Sequence, residues 1–496
     1  MPRPLPERPS LRFAKIEAKR RVATGEFPAL HAAQAAIARE YGLSSWAAFK
    51  QLCAQVGPVS YALIQLQWII ARFRDADRPG WRPPDAAEMR EHFADQILAG
   101  VPADDLIAQF TGAAPQLRAD RVVVDRAPLR VRVRLAGLEV FAAVAADPPH
   151  RITGLYASAL AAGITDPRAT APAPVSIVGE VPSGVAEVAA DSVAELRLPG
   201  LVIAGGGPDG AAWMAAVGRP DLDRDEPLDV RHVFPAYGVA GLATTTAVLR
   251  LVADGRLDLG TPANTCLRTL RLADDTITVR ELLSHSAGVD SPAPAAMFAD
   301  RVPDLVSLLG PVVGCHGTRG VVQPSNGGYA VLGQLAADLT GSSYLDTVTR
   351  LVLDPLELTG SSLVTEDTDL GQDVVTGYQV TAAGILQPAV MICTIPAVGG
   401  LWATPADLVR LGLGWARLLP TELAREALTA QTPPGPAGRA MGLGWLLSPD
   451  GQVGLHAGVG PGATAALLHL PGGQVWVIVT NRAVPLDTII DRLLHL

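Results

Sequence analysis

Two hairpin signals bracket the C-terminal part of the chain and constrain its fold more strongly than any other feature. At the start of this part, Leu198–Gly205 and Gly210–Gly218 flank a Pro-Asp-Gly turn. At its end, Ala463–Leu470 and Val475–Thr480 flank a Pro-Gly-Gly turn. Helical patterns lie between them, such as Ala243–Gly255 with its capping glycine. Strands at both ends with helices between them predict an α+β fold whose two ends close one antiparallel sheet.

The length of 496 residues predicts two or three domains, because a single hydrophobic core stops growing at about 250–300 residues. The pattern along the chain suggests four segments: a helical module over 1–57, a small α+β unit over 65–160, a Pro- and Ala-rich linker over 161–195, and the large domain over 196–496. Within the small unit, alternating stretches after two helical segments predict antiparallel strands.

Basic residues are concentrated at the N-terminus, where residues 1–50 contain nine Lys or Arg and four Glu. Two hypotheses follow for the module over 1–57. Either it docks a protein partner or a nucleic acid, or its charges form a solvated face on a packing helix. The formal net charge of -9 argues against general binding to nucleic acid or to an anionic membrane, since both need a broad basic face.

Four widely spaced cysteines show no metal-ligand or redox spacing, so we expect buried thiols in a reducing compartment. They are Cys53, Cys266, Cys315 and Cys393. The N-terminus has no apolar signal-peptide core, and no later run is long and charge-free enough to span a bilayer. We therefore expect a cytoplasmic protein without a membrane anchor. No motif indicates a nucleotide, flavin or metal, and we expect no cofactor.

Eight stretches of the large domain, taken in chain order, carry a family resemblance. They are Leu249–Asn264, Thr278–Asp290, Ser325–Tyr344, Asp354–Ser362, Val398–Leu411, Gly442–Trp445, His456–Gly462 and Thr480–Arg482. Together they resemble the serine β-lactamase, penicillin-binding protein and esterase family, in its class C-like form. The resemblance implies a β-lactamase/transpeptidase-like domain, an antiparallel sheet flanked by helices.

The small unit over 65–160 carries a second resemblance, through a succession of features that ends in the stretch Pro148–Leu155. It is similar to the cystatin-like domain that precedes the lactamase-like domain of the esterase encoded in clavulanic-acid clusters. By analogy, this implies a setting in secondary metabolism or antibiotic biosynthesis.

The family's first chemical motif is Ser-x-x-Lys, in which the lysine helps to deprotonate the serine nucleophile. Counting back from Leu249–Asn264, the serine position falls on Gly238 and the lysine position on Gly241. Neither residue can attack a carbonyl or accept a proton. Moreover, the chain contains no lysine after Lys50, so no shift of the alignment can restore a lysine base or a Lys-Thr-Gly motif.

The second motif, Tyr-x-Asn, corresponds to Pro324, Ser325 and Asn326. Proline cannot relay a proton. The resemblance implies that the Asn326 amide helps to hold a substrate carbonyl group. The alternative is that Asn326 caps a helix that starts near Gly328.

The third motif corresponds to His456, Ala457 and Gly458 on the strand that edges the site. Gly458 allows a ligand to approach the backbone closely, and the amide of Val459 would supply half of an oxyanion hole. His456 could contact a ligand carboxylate or act as an acid or base near neutral pH. Alternatively, it is only a strand residue typical of the family.

Other side chains could replace the missing groups. Tyr237 precedes the lost serine position and could act as a base if a neighbouring cation lowered its pKa. Cys315 and His316 are adjacent and invite a Cys-His interpretation, although adjacent residues seldom face each other. The resemblance assigns His285 a structural role, and no acidic partners can be placed for a histidine metal site.

Three functional hypotheses follow. In the first, the pocket near Asn326 and His456 binds or converts a small specialised metabolite, such as a biosynthetic intermediate, by non-covalent isomerase, cyclase or lyase chemistry. In the second, the chain is a non-catalytic scaffold that binds a partner. In the third, it keeps residual serine-hydrolase activity despite losing both nucleophile and base. An open cleft between Gly238, Asn326 and His456 would favour the first hypothesis, and a filled cleft the second.

Overall fold

A computed structural model describes most of the chain. The described residues are 21–22, 27, 29–40, 46, 60–94, 97–98, 103–118, 121–126, 130–135, 138–145, 148–159, 164–170, 173–210, 212–292, 296–381, 384–389, 391–434 and 439–496. Of the predicted module over 1–57, helix α1 (Leu30–Glu40) is described, and most of the remainder lies outside the described residues, including Cys53.

The small unit is a four-stranded antiparallel sheet covered by helices. Its helices are α2 (Tyr61–Phe73), α3 (Ala86–His92), α4 (Ala103–Gly112) and α5 (Ala114–Leu117), and its strands are β1 (Arg121–Arg126), β2 (Arg130–Leu135), β3 (Leu138–Val144) and β4 (Ile152–Ala159). The strands pair in chain order. Alternate residues Val131, Val133 and Leu135 of β2 are buried with the apolar side of α2, which follows from the two-residue period of a strand. The cystatin-like assignment stays a prediction.

The strands of the large unit include eight that form one antiparallel sheet. In chain order, the strands are β5 (Val175–Val178), β6 (Gly200–Gly206), β7 (Ala212–Gly218), β8 (Phe234–Pro235), β9 (Arg271–Leu272), β10 (Phe298–Ala299), β11 (Val312–Val313), β12 (Ser361–Leu363), β13 (Tyr378–Val380), β14 (Leu386–Pro388), β15 (Ile392–Cys393), β16 (Leu401–Ala403), β17 (Ala440–Met441), β18 (Leu446–Leu447), β19 (Gly454–Gly460), β20 (Ala463–His469) and β21 (Val475–Thr480). The large sheet has the order β17-β18-β19-β20-β21-β6-β7-β5. Both predicted hairpins form, and β21 pairs with β6, so the two ends of the domain close one sheet as predicted.

The helices of the large unit lie on both faces of this sheet. They are α6 (Val185–Leu196), α7 (Ala240–Ala253), α8 (Val279–Leu283), α9 (Leu305–Leu309), α10 (Asn326–Thr340), α11 (Tyr344–Val348), α12 (Pro396–Gly399), α13 (Pro405–Gly414), α14 (Thr421–Ala427) and α15 (Asp487–Leu494). Val202 and Ala204 of β6 pack with α7, α10 and α13, while Leu201 and Ile203 pack with α6 and α15. The sheet is therefore buried on both faces, and the fold is the α+β arrangement predicted from the sequence.

The predicted linker over 161–195 needs correction, because β5 and α6 lie within it. Asp166 is buried; its carboxylate accepts hydrogen bonds from the Arg168 guanidinium and from the Leu386 amide. These contacts fix the start of the segment to the β13–β14 hairpin. The large unit therefore begins well before residue 196. The Pro- and Ala-rich stretch leads directly into edge strand β5 and is not a linker between domains over its whole length.

In the part of the chain that the structure describes, no helix combines the length and apolar character needed to cross a bilayer.

Candidate functional site

The start of α7 lies directly against β19, and two glycines make this contact. A 3-10 turn over Tyr237–Val239 leads into the helix, and Gly238 sits at its centre. A Cβ added to Gly238 would collide with the Ala457 carbonyl oxygen and lie 3.0 Å from the Gly458 Cα. A Cβ added to Gly458 would collide with the Gly238 nitrogen. The two main chains thus occupy the space in which a nucleophile side chain would stand.

Gly241 lies one turn further along the helix and is buried. A Cβ at this position would make ordinary contacts, at 3.4 Å from the Tyr329 ring and 3.7 Å from His456 Nδ1. A methyl group therefore fits, but the space beyond it is filled by the two rings. The positions assigned to the serine and lysine thus both face protein rather than a cleft.

Tyr237 is buried and serves to pack the site. Its hydroxyl donates a 2.8 Å hydrogen bond to the Pro461 carbonyl. Its ring packs so closely on Gly460 that a Cβ added there would lie 2.5 Å from the ring carbon Cζ. The Phe298 ring meets it edge-on, with ring centroids 5.5 Å apart. Burial, with a smaller contribution from Cys393, raises the pKa of the phenol. The structure thus corrects the interpretation of Tyr237 as a base, which required a lowered pKa and a free hydroxyl.

His456 points into the core from β19 and is only 7% exposed. Its ring packs edge-on against Trp445, with centroids 4.7 Å apart. Burial lowers the pKa of His456 to about 3, with a further lowering from His285 and an opposing hydrogen bond to the Gly238 backbone. The imidazole is therefore neutral near pH 7, and its proposed role as an acid or base in that range is corrected.

Val459 lies on the opposite face of β19 from His456, since successive strand residues alternate. Its side chain is 48% exposed. The role expected for Val459, an oxyanion-hole donor through its main-chain amide, does not depend on the direction of this side chain and stays a prediction. Gly458 and Gly460 lie on the same face of β19 as His456, and their lack of side chains admits Gly238 and the Tyr237 ring.

His285 supports the loop that precedes α10. Its Nδ1 accepts a 3.1 Å hydrogen bond from the Ser325 amide, and its ring stacks on Tyr329 with centroids 4.7 Å apart. Burial lowers the pKa of His285 to about 4, so it too is neutral at pH 7. These contacts fit the structural role expected for this histidine.

The second motif forms a helix start. Ser325 is the N-cap of α10: its hydroxyl accepts a 2.9 Å hydrogen bond from the Gly328 amide. The alternative in which Asn326 is the cap was therefore wrong by one residue. Asn326 is exposed and is the first residue of α10, with its Nδ2 3.7 Å from Met297 Sδ. Pro324 is exposed as well.

No sequence pattern indicated that Met297 and Phe298 would belong to this region. Strand β10 pairs with β15, and this pairing holds Phe298 against Tyr237 and Met297 against Asn326. Met297 is itself buried in a small apolar cluster that includes Cys393. The two side chains therefore occupy the region between the helix start at Tyr237 and the second motif.

Cys315 and His316 do not form a catalytic pair. The Cys315 thiol lies 3.6 Å from the Val313 carbonyl oxygen, and burial raises its pKa. The His316 side chain is 87% exposed, and its Nδ1 lies 2.6 Å from an Asp290 carboxylate oxygen. The Cys-His interpretation is thus corrected. Among the described residues, no group of three or more His, Cys, Asp or Glu could hold a metal ion.

Comparison with known proteins gives a consistent picture of the large unit. A family model described as Beta-lactamase matches residues 185–495. Penicillin-binding protein 4 of Amycolatopsis lactamdurans is 28% identical over 285 residues, which cover 52% of this chain and 74% of that protein.

Two solved structures illustrate the likeness in three dimensions. The penicillin binding protein from Bacillus halodurans has a TM-score of 0.54 at 19% identity, covering 64% of this chain and 99% of its own. The D-amino acid amidase from Ochrobactrum anthropi SV3 has a TM-score of 0.53 at 23% identity, covering 63% and 99% respectively. At these identities the structures show a shared fold.

Proposed function

The chain belongs to the beta-lactamase family, and from that premise we propose that it is a member without acyl-transfer activity, which works as a protein-binding scaffold. The names of the compared proteins refer to penicillin binding and to amidase activity. Those activities depend on groups at the site, not on the fold alone. The proposal therefore stands on the residues of this site.

The main-chain contact between Gly238 and Gly458 carries the proposal. An acyl-enzyme needs a nucleophile, a base and room for a tetrahedral carbon beside an oxyanion hole. At the position matched to the nucleophile there is no side chain, and even a Cβ would collide with β19. No lysine follows Lys50 that could serve as a base.

The polar groups that remain support the same proposal. The Tyr237 hydroxyl is engaged with the Pro461 carbonyl, and the His456 imidazole is buried and neutral. A general acid or base needs a pKa near the working pH and access to the substrate. Neither residue meets both conditions in this conformation.

Conversion of a small metabolite near Asn326 and His456 is the weaker candidate. It needs an open cleft between Gly238, Asn326 and His456, whereas Gly238 here contacts Gly458, and Met297 and Phe298 contact Asn326 and Tyr237. Residual hydrolysis needs the same cleft as well as a nucleophile. These contacts support recognition through the outer surfaces of the chain, and we therefore favour a protein partner over a small ligand.

The proposal is tested by incubating the full chain with a fluorescent penicillin and with a p-nitrophenyl ester. We expect no covalent adduct by intact-mass spectrometry and no burst or steady turnover of the ester, while an active penicillin-binding protein serves as the positive control. A stoichiometric adduct on any residue of the large unit would overturn the proposal. Ester turnover by the wild type that is absent in His456→Gln would support a catalytic role for the site.

A rebuilt motif gives a second measurement. The variant Gly238→Ser/Gly241→Lys restores the two missing side chains, yet we expect no adduct, because neither side chain has room. If this variant folded and reacted with the penicillin, the steric part of the reasoning would be wrong.

A further inference from the structure

Strand β5 forms one edge of the eight-stranded sheet and has an open side. It pairs with β7 on one side, and no strand of the described residues pairs with the other. Val175, Ile177 and Val178 are 55%, 48% and 42% exposed. An uncharged apolar edge strand is a template for pairing with another strand, and proteins usually blunt such an edge with charges or cover it. Here the strand Val-Ser-Ile-Val carries no charge.

The hydrogen-bonding groups of this edge can be assigned to sides. The Pro174 carbonyl accepts a 2.8 Å hydrogen bond from the Gly218 amide, so it points toward β7. In an antiparallel ladder the direction alternates from residue to residue, so the amides and carbonyls of Val175 and Ile177 point to the open side. Two unpaired donors and two unpaired acceptors are thus spaced for a neighbouring strand.

A second copy of the same strand fits these groups. A two-fold axis normal to the sheet through Ser176 sets Val175 of each copy opposite Ile177 of the other. Both are hydrogen-bonded pairs, and together they form four main-chain hydrogen bonds. Val175 and Ile177 lie on the same face of the sheet, since they are paired with Val217 and Ala215, and β-branched residues stabilise such cross-strand pairs. Ser176 then lies opposite Ser176, where the two hydroxyls can bond.

Charge placement is compatible with this pairing. No charged residue lies between Arg168 and Glu180. In the antiparallel arrangement, Glu180 of one copy lies at the end where the other copy's chain arrives from Arg168. Like charges are therefore not brought together along the paired strands.

We propose that β5 joins two copies of the chain as an antiparallel, two-fold dimer in which the sheet continues from one copy into the other. The occupant of the edge is thus a second copy. This inference is separate from the lack of acyl-transfer activity, and each can fail without the other.

The first test is the mass in solution. Sedimentation of the full chain at tens of micromolar should give twice the chain mass of 51.7 kDa. Ile177→Lys, which replaces the apolar partner of Val175 in each cross-strand pair with a charge, should reduce the mass to that of one chain. The matched control Val312→Lys changes a valine of similar exposure, 56%, on β11 and should leave the dimer intact. A monomeric wild type, or a dimer that is unaffected by Ile177→Lys, would overturn the proposal.

The second test fixes the register and does not depend on the lysine variant folding. Opposed Cα atoms at a pair without hydrogen bonds lie ~4.5 Å apart, within the range of a disulfide. Ser176→Cys should therefore form a disulfide-linked dimer under mild oxidation. Val178→Cys lies on the same face and is the matched control: its two copies are about 13 Å apart at 3.3 Å per residue and should not link. Linking by Val178→Cys, or no linking by Ser176→Cys, contradicts the proposed pairing.

Discussion

The contact between the α7 start and β19 predicts that two neighbouring glycines respond in opposite directions to the same substitution. Gly238→Ala places a methyl group against the Ala457 carbonyl and the Gly458 main chain. Gly241→Ala places the same group at ordinary contact distance from Tyr329 and His456. Because both positions belong to the same buried helix start, each serves as the control for the other.

The expected magnitudes follow from the atoms that are met. Overpacking a core costs roughly 1–3 kcal/mol when side chains can shift, and at Gly238 the obstructing atoms belong to the main chain, so we expect ~3 kcal/mol of destabilisation. At Gly241, replacing a helical glycine gains roughly 0.5–1 kcal/mol of conformational entropy and propensity. The two variants should therefore differ by about 3–4 kcal/mol in the free energy of unfolding of the large unit.

Differential scanning calorimetry measures the difference. With roughly 2 °C of shift per kcal/mol for a large domain, Gly238→Ala should lower the Tm of the large unit by about 6 °C, and Gly241→Ala should raise it by 1–2 °C. Because the chain has more than one unit, the transition of the large unit must be identified separately from that of the small unit. A Gly238→Ala variant as stable as wild type would show that the site has room for a side chain, and the closed-site reasoning would fail.

Two further predictions concern buried ionisable groups. His456 has a folded-state pKa of about 3, below the ordinary 6.5, so the unfolded chain binds more protons between these values and stability falls as the pH falls from 6.5 toward 3. His456→Gln should flatten this loss by up to about 1.4 kcal/mol per pH unit, measured as the pH dependence of the urea midpoint, and an unchanged slope would contradict the burial of the ring. Asp166→Asn should loosen the segment before β5, because it weakens the hydrogen bonds of this side chain with Arg168 and Leu386. Limited proteolysis should then cleave the chain before Val175 faster than in the control variant Asp209→Asn, which changes an exposed turn. Equal cleavage rates would mean that these hydrogen bonds do not anchor the segment.

Local signals in the sequence were sufficient to predict the hairpins and the closed antiparallel sheet of the large unit. The hairpins that begin at Gly200 and Ala463 were predictable because their turns are specified by Pro, Asp and Gly within a few residues. The absence of lysine beyond Lys50 is likewise a property of the sequence itself. Helix α6 could also have been found, since Val185, Ala189, Ser192 and Val193 repeat at helical spacing, but the Pro-rich composition before it drew attention to a linker.

The state of the site could not be predicted in the same way. Closure depends on the approach of Gly238 to Gly458, which are far apart in the chain, and glycine at either position is equally compatible with an open cleft that accommodates a ligand. The lowering of the His456 pKa depends on the burial of its ring against Trp445, which no local sequence pattern specifies. The one-residue error between Ser325 and Asn326 arose because both residue types are good helix caps.

The meeting of Gly238 and Gly458 also bears on how such a chain can change over generations. A lost side chain is ordinarily one substitution away from return, but here any residue with a Cβ at either position first meets main chain. Regaining a nucleophile would require β19 to move away from the helix start, together with the Tyr237 ring that rests on Gly460, before the new side chain conferred any advantage. A single substitution at Gly238 or Gly458 therefore cannot introduce a side chain without a concerted movement of the main chain.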